Sequence, residues 1–312
     1  MSNPPLRAGA FWLFTLFAVC ATRGQDAPAP AAPPPAGPVA DERNLHKING
    51  IFDTDLPKTE KKGRIRLIIH PHLGDFTSRS YLRVPVGVRV GVNDHVELTA
   101  TVESYFQHYL RSGSPGNGIG DFQVGAKYAF HEWLKPEYEA SVGFNTRIPV
   151  GSPPVDLTDG YNHYSPYFVV AKKSPAIAGL TYFGSTTLDL MEKSSVAGSF
   201  RKNDAHSTSM IFSTGFVLDR YPYHYTLEAG YQTTSLVGKD NRQFVFIKPG
   251  FAWDLPRTLT FNSRGRWLVG FSFKVTQGPD GTRIDSGGKI RGEFSLRRMF
   301  GGRKNDAAAG GP

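Results

Sequence analysis

The chain has very little cysteine and no long apolar runs after its first few dozen residues. Cys20 is the sole cysteine among 312 residues, and it lies in the N-terminal apolar stretch. Beyond that stretch no segment approaches the roughly 20 apolar residues that a membrane-spanning helix requires, and the mean hydropathy is −0.32. These absences exclude a helical membrane protein. They also predict a mature chain that needs no disulfides, so its stability comes from hydrogen bonding and packing.

The N-terminus predicts export from the cytoplasm. Arg7 precedes an apolar core, residues 8–21, that is too short for a stable span and ends in small residues, as in a secretory signal peptide. Lipidation at Cys20 is the less favoured alternative, because Val19 is branched where a lipoprotein site requires a small residue. An Ala/Pro linker follows, which predicts an extended segment without a core.

The glycine-rich stretch from Gly116 to Trp133, GNGIGDFQVGAKYAFHEW, lacks a nucleotide-binding motif. A dinucleotide fingerprint requires glycine where Gln123 stands, and no Lys-Ser or Lys-Thr closes the stretch as in a phosphate loop. Residues 122–130 instead alternate apolar and polar side chains, which is typical of a strand with two unlike faces. We therefore interpret the glycines as the end of a loop that leads into a strand.

The same two-residue period runs through most of the chain after residue 63. It is clearest from Leu82 to Val92, and it resumes at Val96 after the hairpin signal Asn93-Asp94. Most of these segments have roughly nine to thirteen residues, the length of a tilted strand that crosses a bilayer. The predicted strands are Arg64–His72, Tyr81–Val92, Val96–Tyr109, Asp121–Phe130, Tyr138–Ile148, Tyr164–Ala171, Leu180–Leu190, Met210–Leu218, Tyr223–Thr234, Phe244–Trp253, Trp267–Thr276 and Lys289–Phe300.

The predicted connections alternate between short turns and long loops, with one exception at residues 254–263. Short turns on one rim and long loops on the other are typical of bacterial outer-membrane barrels, as are aromatic residues near the strand ends. The predicted long loops are Arg111–Gly120, Val150–His163, Met191–Ala205 and Gln277–Gly288, and the aromatic residues near strand ends are Phe106, Tyr109, Tyr128, Phe130, Tyr164, Tyr223, Tyr225, Phe251, Trp253 and Trp267.

These patterns predict an all-β protein, a transmembrane antiparallel up-and-down β-barrel of about twelve strands in the bacterial outer membrane. We expect a signal peptide over residues 1–24, a proline-rich periplasmic linker and N-terminal segment over 25–62, the barrel over 63–300 and a polar tail over 301–312. The expected partners are outer-membrane lipid and the assembly machinery that reads the last strand, here ending in the aromatic Phe300.

Three segments resemble a known family, the outer-membrane channel-like proteins of the MetA-pathway of phenol degradation. They are VPVGVRVGVNDHVELTATV at 84–102, GIGDFQVGAKYAF at 118–130 and FNTRIPVGSP at 144–153, and they occur in the family's order. The resemblance covers about half of the predicted barrel. It implies a barrel and the passage of small molecules, hydrophobic ones among them, but no particular substrate or binding residue.

If the aliphatic side chains face lipid, the alternate side chains face the lumen. Basic residues lead modestly there, which predicts a pore with a weak preference for anions, because charged rings set selectivity in channels. The alternative is a filled lumen in which the charges pair across strands, for example Arg89 with Glu97. The candidate lumen-lining residues are Arg83, Arg89, Glu97, Glu103, Asp121, Lys127, Glu139, Arg147, Glu228, Lys248, Lys274, Arg291 and Glu293.

Other functions have weaker support in the sequence. His70 and His72, spaced for one face of a strand, and His163 are the best candidates for a metal ligand or catalytic base of a rim-located hydrolase, but no third ligand or nucleophile motif accompanies them. Asp156, Asp159 and Asp240 lack the dense spacing of a calcium loop. We therefore expect no enzyme activity, no metal and no cofactor.

The formal net charge of +9 does not predict nucleic-acid binding. Its Lys and Arg residues are spread through strands, turns and tails instead of forming one stripe. A solvated surface explains the loop residues, and a non-conducting structural or adhesive barrel remains the main alternative to a channel.

Overall fold

The alternating segments form a closed antiparallel barrel of twelve strands. The computed structural model describes residues 56–113, 116–130, 135–260 and 266–295. The strands are β1 Arg64–Ile69, β2 Tyr81–Gly91, β3 Val96–Gln107, β4 Gly118–Phe130, β5 Tyr138–Pro149, β6 Tyr161–Lys173, β7 Leu180–Lys193, β8 Ser209–Arg220, β9 Tyr223–Thr233, β10 Gln243–Asp254, β11 Arg266–Gly278 and β12 Gly281–Ser295. A helix, α1 (Asp75–Ser78), lies between β1 and β2, and a 3-10 turn (Arg257–Thr260) precedes β11.

Each strand pairs with its neighbours in the chain, and β1 closes the barrel against β12. In the closing pair, Leu67 lies opposite Gly292 and Ile69 opposite Ile290. Closure leaves none of the twelve described strands with an unpaired edge, which a bilayer demands because no water is available there to satisfy backbone groups. The predicted up-and-down barrel is therefore confirmed. No helix within the described residues is long and apolar enough to cross a membrane.

The two faces of each strand follow the predicted alternation. On β2, Arg83 is 6% exposed and Arg89 is 9% exposed, whereas the intervening Val86 is 36% exposed. Val124 on β4 and Val142 on β5 are likewise exposed on the outside. The outer face is thus an apolar band suited to lipid, and the inner face carries the polar side chains.

Aromatic side chains gather at the rim that carries the turns at 92–95, 174–179 and 221–222, here named the short-turn rim. Tyr128 and Phe130 lie outward at the end of β4 with their ring centroids 5.1 Å apart. Tyr223 and Phe251 stack at 5.9 Å on β9 and β10. Such rings prefer the bilayer interface because one side is apolar and the other tolerates water. The opposite rim, with the loops 108–117, 150–160 and 194–208, is named the long-loop rim.

One predicted loop is wrong. Gln277–Gly288 is not a long loop, because β11 continues to Gly278 and β12 begins at Gly281 after a two-residue turn. The start of β12 is polar and glycine-rich, so it carries little apolar alternation. A side chain at Gly287 would lie 2.8 Å from the His70 ring, so the close approach of the β1–β2 connection explains this glycine.

The predicted signal peptide, most of the linker, the strand end at Phe300 and the polar tail lie outside the described residues. Elsewhere the predicted strand bounds differ by a few residues. The largest of these differences are three residues each: the earlier end of β1 at Ile69, the earlier starts of β4 at Gly118 and β6 at Tyr161, and the later end of β7 at Lys193.

Candidate functional site

The predicted lumen-lining residues lie on the inward positions of their strands. Arg83, Glu97, Asp121, Lys127 and Arg291 are each less than 9% exposed. Lys248 is also buried, and it lies opposite Glu228 across β9 and β10. The Cα of Glu293 pairs with those of Arg66 and Arg266, and its side chain lies outside the described part of the chain. The remaining predicted inward residues are Arg89, Glu103, Glu139, Arg147 and Lys274.

A short-turn cluster forms around Glu97, at the start of β3. Its carboxylate lies 3.5 Å from Arg89 Nη1 and 3.2 Å from Lys127 Nζ, and it accepts a hydrogen bond from the backbone N–H of Glu60 at 2.8 Å. Glu97 is only 1% exposed. One buried carboxylate thus offsets two neighbouring cations, and the Arg89–Glu97 pair expected for the filled-lumen alternative is present.

The chain before β1 crosses the same end of the lumen; residues 56–62 are named the crossing segment. Lys127 Nζ donates to the carbonyl of Leu56 at 3.3 Å, and Lys58 Nζ lies 3.5 Å from Glu139 on β5. The Leu56 side chain packs with inward residues of β6, β7 and β8 (Ala171, Phe183, Val217). Glu60 also pairs with Arg66. The crossing segment therefore precedes the barrel in the sequence, but it packs against the inner side of the barrel in the structure.

A long-loop cluster surrounds Arg147 on β5. Its guanidinium lies 3.5 Å from Asp121 and 3.3 Å from Asp159, and the Arg147 side chain as a whole is 37% exposed. His163 on β6 lies 2.8 Å from Asp159 through Nε2 and 2.9 Å from Asp189 through Nδ1. Burial alone would raise the pKa of Asp159, but the hydrogen bond from His163 and the charge of Arg147 hold it below its usual value.

His163 is not arranged as a catalytic base. Both ring nitrogens face carboxylates, and Arg147 Nη2 also lies 2.7 Å from Nε2. The nearby hydroxyl of Ser165 donates to Asp189 at 2.8 Å, so the carboxylate stands between the serine and the histidine. A hydrolytic triad requires the histidine in the middle, within reach of the nucleophile. This geometry supports an ion-pair role in the wall of the lumen.

A second histidine, missed in the sequence, has the same surroundings at the short-turn rim. His224 on β9 lies 2.8 Å from Asp219 and 2.9 Å from Asp254, and Arg266 Nε donates to Asp254 at 2.9 Å. These residues occupy inward positions near the ends of four successive strands, β8 to β11. In the sequence these polar residues alternate with outward aromatic residues, and that alternation could have identified them as inward.

Between the clusters, the inner wall of β3 to β9 carries small polar side chains. Large inward rings lie flat against this wall where the neighbouring strand has glycine: a methyl group at Gly143 would overlap the ring of Tyr167, and one at Gly230 would overlap Phe246. The glycines therefore let the rings lie over the backbone and not project into the lumen. The small inward residues are Thr99, Thr101, Gln123, Asn145, Ser165, Ser185, Thr187 and Ser213.

Two long loops fold inward over the lumen. Leu157, in the 150–160 loop, is 2% exposed and packs with Tyr81 and Tyr105. Arg201, in the 194–208 loop, donates to the backbone carbonyl of Leu157 at 2.9 Å and to that of Asp156 at 3.3 Å. The loops thus support each other at the long-loop rim.

Arginines concentrate beneath these loops. Arg83 binds Asp75 of α1 through Nε at 2.8 Å and Nη2 at 2.9 Å, a bidentate pair missed in the sequence. This hydrogen bonding and charge lower the pKa of Asp75, against the opposing effect of burial. Burial, together with the charges of Arg83 and Arg79, lowers the pKa of Arg201 to about 10. The rim therefore carries crowded positive charge.

The other histidines and aspartates that the sequence suggested as metal ligands or catalytic groups contact neighbouring side chains. The His70 and His72 rings stack at 5.4 Å near the long-loop rim. Asp156 accepts a hydrogen bond from Tyr81 Oη at 2.8 Å, and Asp240 accepts one from Ser207. Among the described residues, no group of three or more His, Cys, Asp or Glu side chains is placed to hold a metal ion.

The likeness of this chain to known proteins lies in the fold and not in the sequence. Neither a family model nor a curated protein sequence matches the chain. The solved COG4313 outer membrane channel from Pseudomonas putida F1 is similar with a TM-score of 0.52 at 10% identity, over 78% of this chain and 98% of that one. The KdgM porin (TM-score 0.42, 10% identity, 74% and 98% covered) and the CymD monoaromatic hydrocarbon channel (0.39, 9%, 76% and 89%) are more distant. The likeness to the COG4313 outer membrane channel shows that the chain shares the fold of that barrel.

Proposed function

We propose that this chain is a bacterial outer-membrane channel for the passive diffusion of small molecules, with a weak preference for anions. The observation that carries the proposal is a polar inner wall enclosed by a closed barrel with an apolar exterior. Such a wall stabilises a hydrated path through the bilayer, which an apolar or tightly packed interior would not. The three segments at 84–102, 118–130 and 144–153 support a place in the MetA-pathway of phenol degradation family.

The mechanism rests on two charged clusters with a small-residue wall between them. Within the long-loop cluster the Arg147 side chain is 37% exposed, whereas those of the acids around it, Asp121, Asp159 and Asp189, are 16% exposed or less. An entering solute therefore meets more accessible positive than negative charge. The sequence shows no energy-coupling motif, so the driving force is the solute gradient, and the barrel itself performs no chemistry.

Single-channel recording in planar bilayers tests this proposal. Refolded protein should give discrete conductance steps, and a salt gradient should give a reversal potential of anion-preferring sign. Arg147→Gln should shift that potential toward cations because three nearby carboxylates then dominate. Lys239→Gln, which removes an exposed charge from a different loop, should leave it unchanged. The absence of steps in both polarities would contradict a channel.

A filled, non-conducting barrel is the second candidate function. It is favoured by the crossing segment at one end of the lumen and by the 150–160 and 194–208 loops at the other. The two proposals differ in the bilayer recording: a structural barrel gives no steps, even after the crossing segment is changed as described in the Discussion.

A further inference from the structure

A cavity of about 610 Å³ opens at the long-loop rim, outside the charged clusters already described. It lies between the β1–β2 connection, the start of the 108–117 loop and the 150–160 loop, and is named the rim pocket. Its size falls in the range of small-molecule sites. Its polar lining comprises Ser78, Arg79, Ser80, Tyr81, Arg111, Ser112 and Asp156, and its apolar lining comprises Leu110 and Pro154.

The rim pocket combines two guanidiniums, several hydroxyls and one carboxylate. Arg79 is held in place, because its Nε lies 3.3 Å from Asp75 and its Nη1 donates to the carbonyl of Asp156 at 2.9 Å. Arg111 is exposed, and among the described residues no carboxylate lies within ion-pair distance of it. Arg111 therefore offers charged hydrogen-bond donors that the described side chains do not occupy.

The other polar groups suit a ligand that carries hydroxyls. The Asp156 side chain is 54% exposed, and its carboxylate retains lone pairs beyond those used by Arg79 and Tyr81. Ser80 and Ser112 can donate or accept. A carboxylate acceptor beside serines favours a partner with several O–H groups, whereas a bare anion would meet repulsion from Asp156.

The position of the rim pocket favours a solute over a lipid headgroup. Tyr81 is an inward residue, 3% exposed, and Asp156 belongs to the loop that folds over the lumen. Arg83 and Arg201 lie close beneath the same loop. Part of the lining of the rim pocket, Tyr81 and Asp156, therefore belongs to the inward side of the barrel and not to its outer apolar band.

We propose that the rim pocket binds a small carboxylate that carries several hydroxyls, with Arg111 binding the carboxylate and Asp156 and the serines binding the hydroxyls. The role of the rim pocket as a capture site ahead of the lumen rests on the proposed channel function. Binding itself does not require conduction, so the two can fail separately.

Binding to the purified full-length barrel in lipid nanodiscs tests this inference by calorimetry or saturation-transfer NMR. The probes are glucuronate, glucose, which lacks the carboxylate, and acetate, which lacks the hydroxyls. Glucuronate should bind more tightly than both. Arg111→Gln should weaken glucuronate binding about tenfold, the loss expected for a charge-assisted hydrogen bond, while the matched loop variant Lys239→Gln should bind as the parent does.

Each result decides one point. Failure of glucuronate to bind, equal binding by Arg111→Gln, or equal binding of glucose would overturn the site. Equal binding of acetate would overturn the part assigned to the hydroxyls. Conductance steps without glucuronate binding would refute the rim pocket and leave the channel standing, whereas binding without steps would support the pocket and refute the channel.

Discussion

At the residue scale, stability depends on inward charges that are paired within a confined space. Glu97 is 1% exposed and lies beside Arg89 and Lys127. A buried pair contributes little net stability compared with apolar residues, but removing one partner is costly because it leaves an uncompensated charge. Glu97 is therefore expected to be sensitive to the loss of its charge.

Glu97→Gln should lower the free energy of unfolding by about 3 kcal/mol. The glutamine keeps the size of the side chain but leaves Arg89 and Lys127 without their shared anion. Urea titration of the barrel in phospholipid vesicles measures the change. Glu192→Gln, at the exposed end of β7, should change it by only about 0.5 kcal/mol or less. Equal effects of the two substitutions would show that the Glu97 charge is solvated and not confined.

At the element scale, the segments that connect or precede strands control access to the lumen. The crossing segment contacts β1 through the Glu60–Arg66 pair and β7 and β8 through Leu56, Phe183 and Val217, so it reaches from one side of the barrel to the other. An extended segment in that position reduces the cross-section available to ions. Several of its contacts are ionic, and β1 is held by its own pairing with β2 and β12, so we expect that the segment can be replaced without unfolding β1.

Replacing Leu56–Glu60 with Gly-Ser-Gly-Ser-Gly should raise the single-channel conductance, on the order of twofold. The lumen of a twelve-stranded barrel is narrow, so the side chains of this segment occupy much of its cross-section, and smaller side chains leave more room for ions. The replacement keeps the chain length and removes the Leu56 packing and the Glu60 ion pair. The neighbouring exposed pair, changed as Lys61→Ser and Lys62→Gly, is the control and should leave conductance as in the parent. Unchanged conductance in both variants would place the narrowest point elsewhere.

At the scale of the whole molecule, the barrel wall separates the lipid outside from the lumen inside. The outer face of β4 presents Val124, 41% exposed, at the middle of the strand, while its chain neighbour Gln123 points inward. Two adjacent positions thus face lipid and lumen. The energetic cost of a charge should differ between them more than between any two positions on one face.

Val124→Arg should lower the free energy of unfolding by about 2–4 kcal/mol in phospholipid vesicles, the cost of a basic residue near the bilayer midplane. Gln123→Arg should leave stability nearly unchanged and shift the reversal potential further toward anions. Urea titration and a salt-gradient recording give the two readouts. If both variants lost similar stability, β4 would not have one face in lipid.

Much of the fold and of the inner surface could be predicted because side-chain direction in a strand is local. The aliphatic residues from Leu82 to Val92 determined the outward face of β2, so Arg83 and Arg89 had to point inward. The prediction failed at Gln277–Gly288, because a strand rich in polar residues and glycine has the same composition as a loop.

By itself, therefore, the sequence determined the β architecture, the approximate strand positions and which charges enter the lumen, since each follows from a two-residue period. Only the tertiary structure decided what those charges meet. Glu60 lies 37 positions from Glu97 and Arg201 lies 44 positions from Leu157, yet both pairs are in contact. Loop and segment placement depends on packing between distant parts of the chain, and no local period records it. The crossing segment, the inward loops and the rim pocket arise at that level.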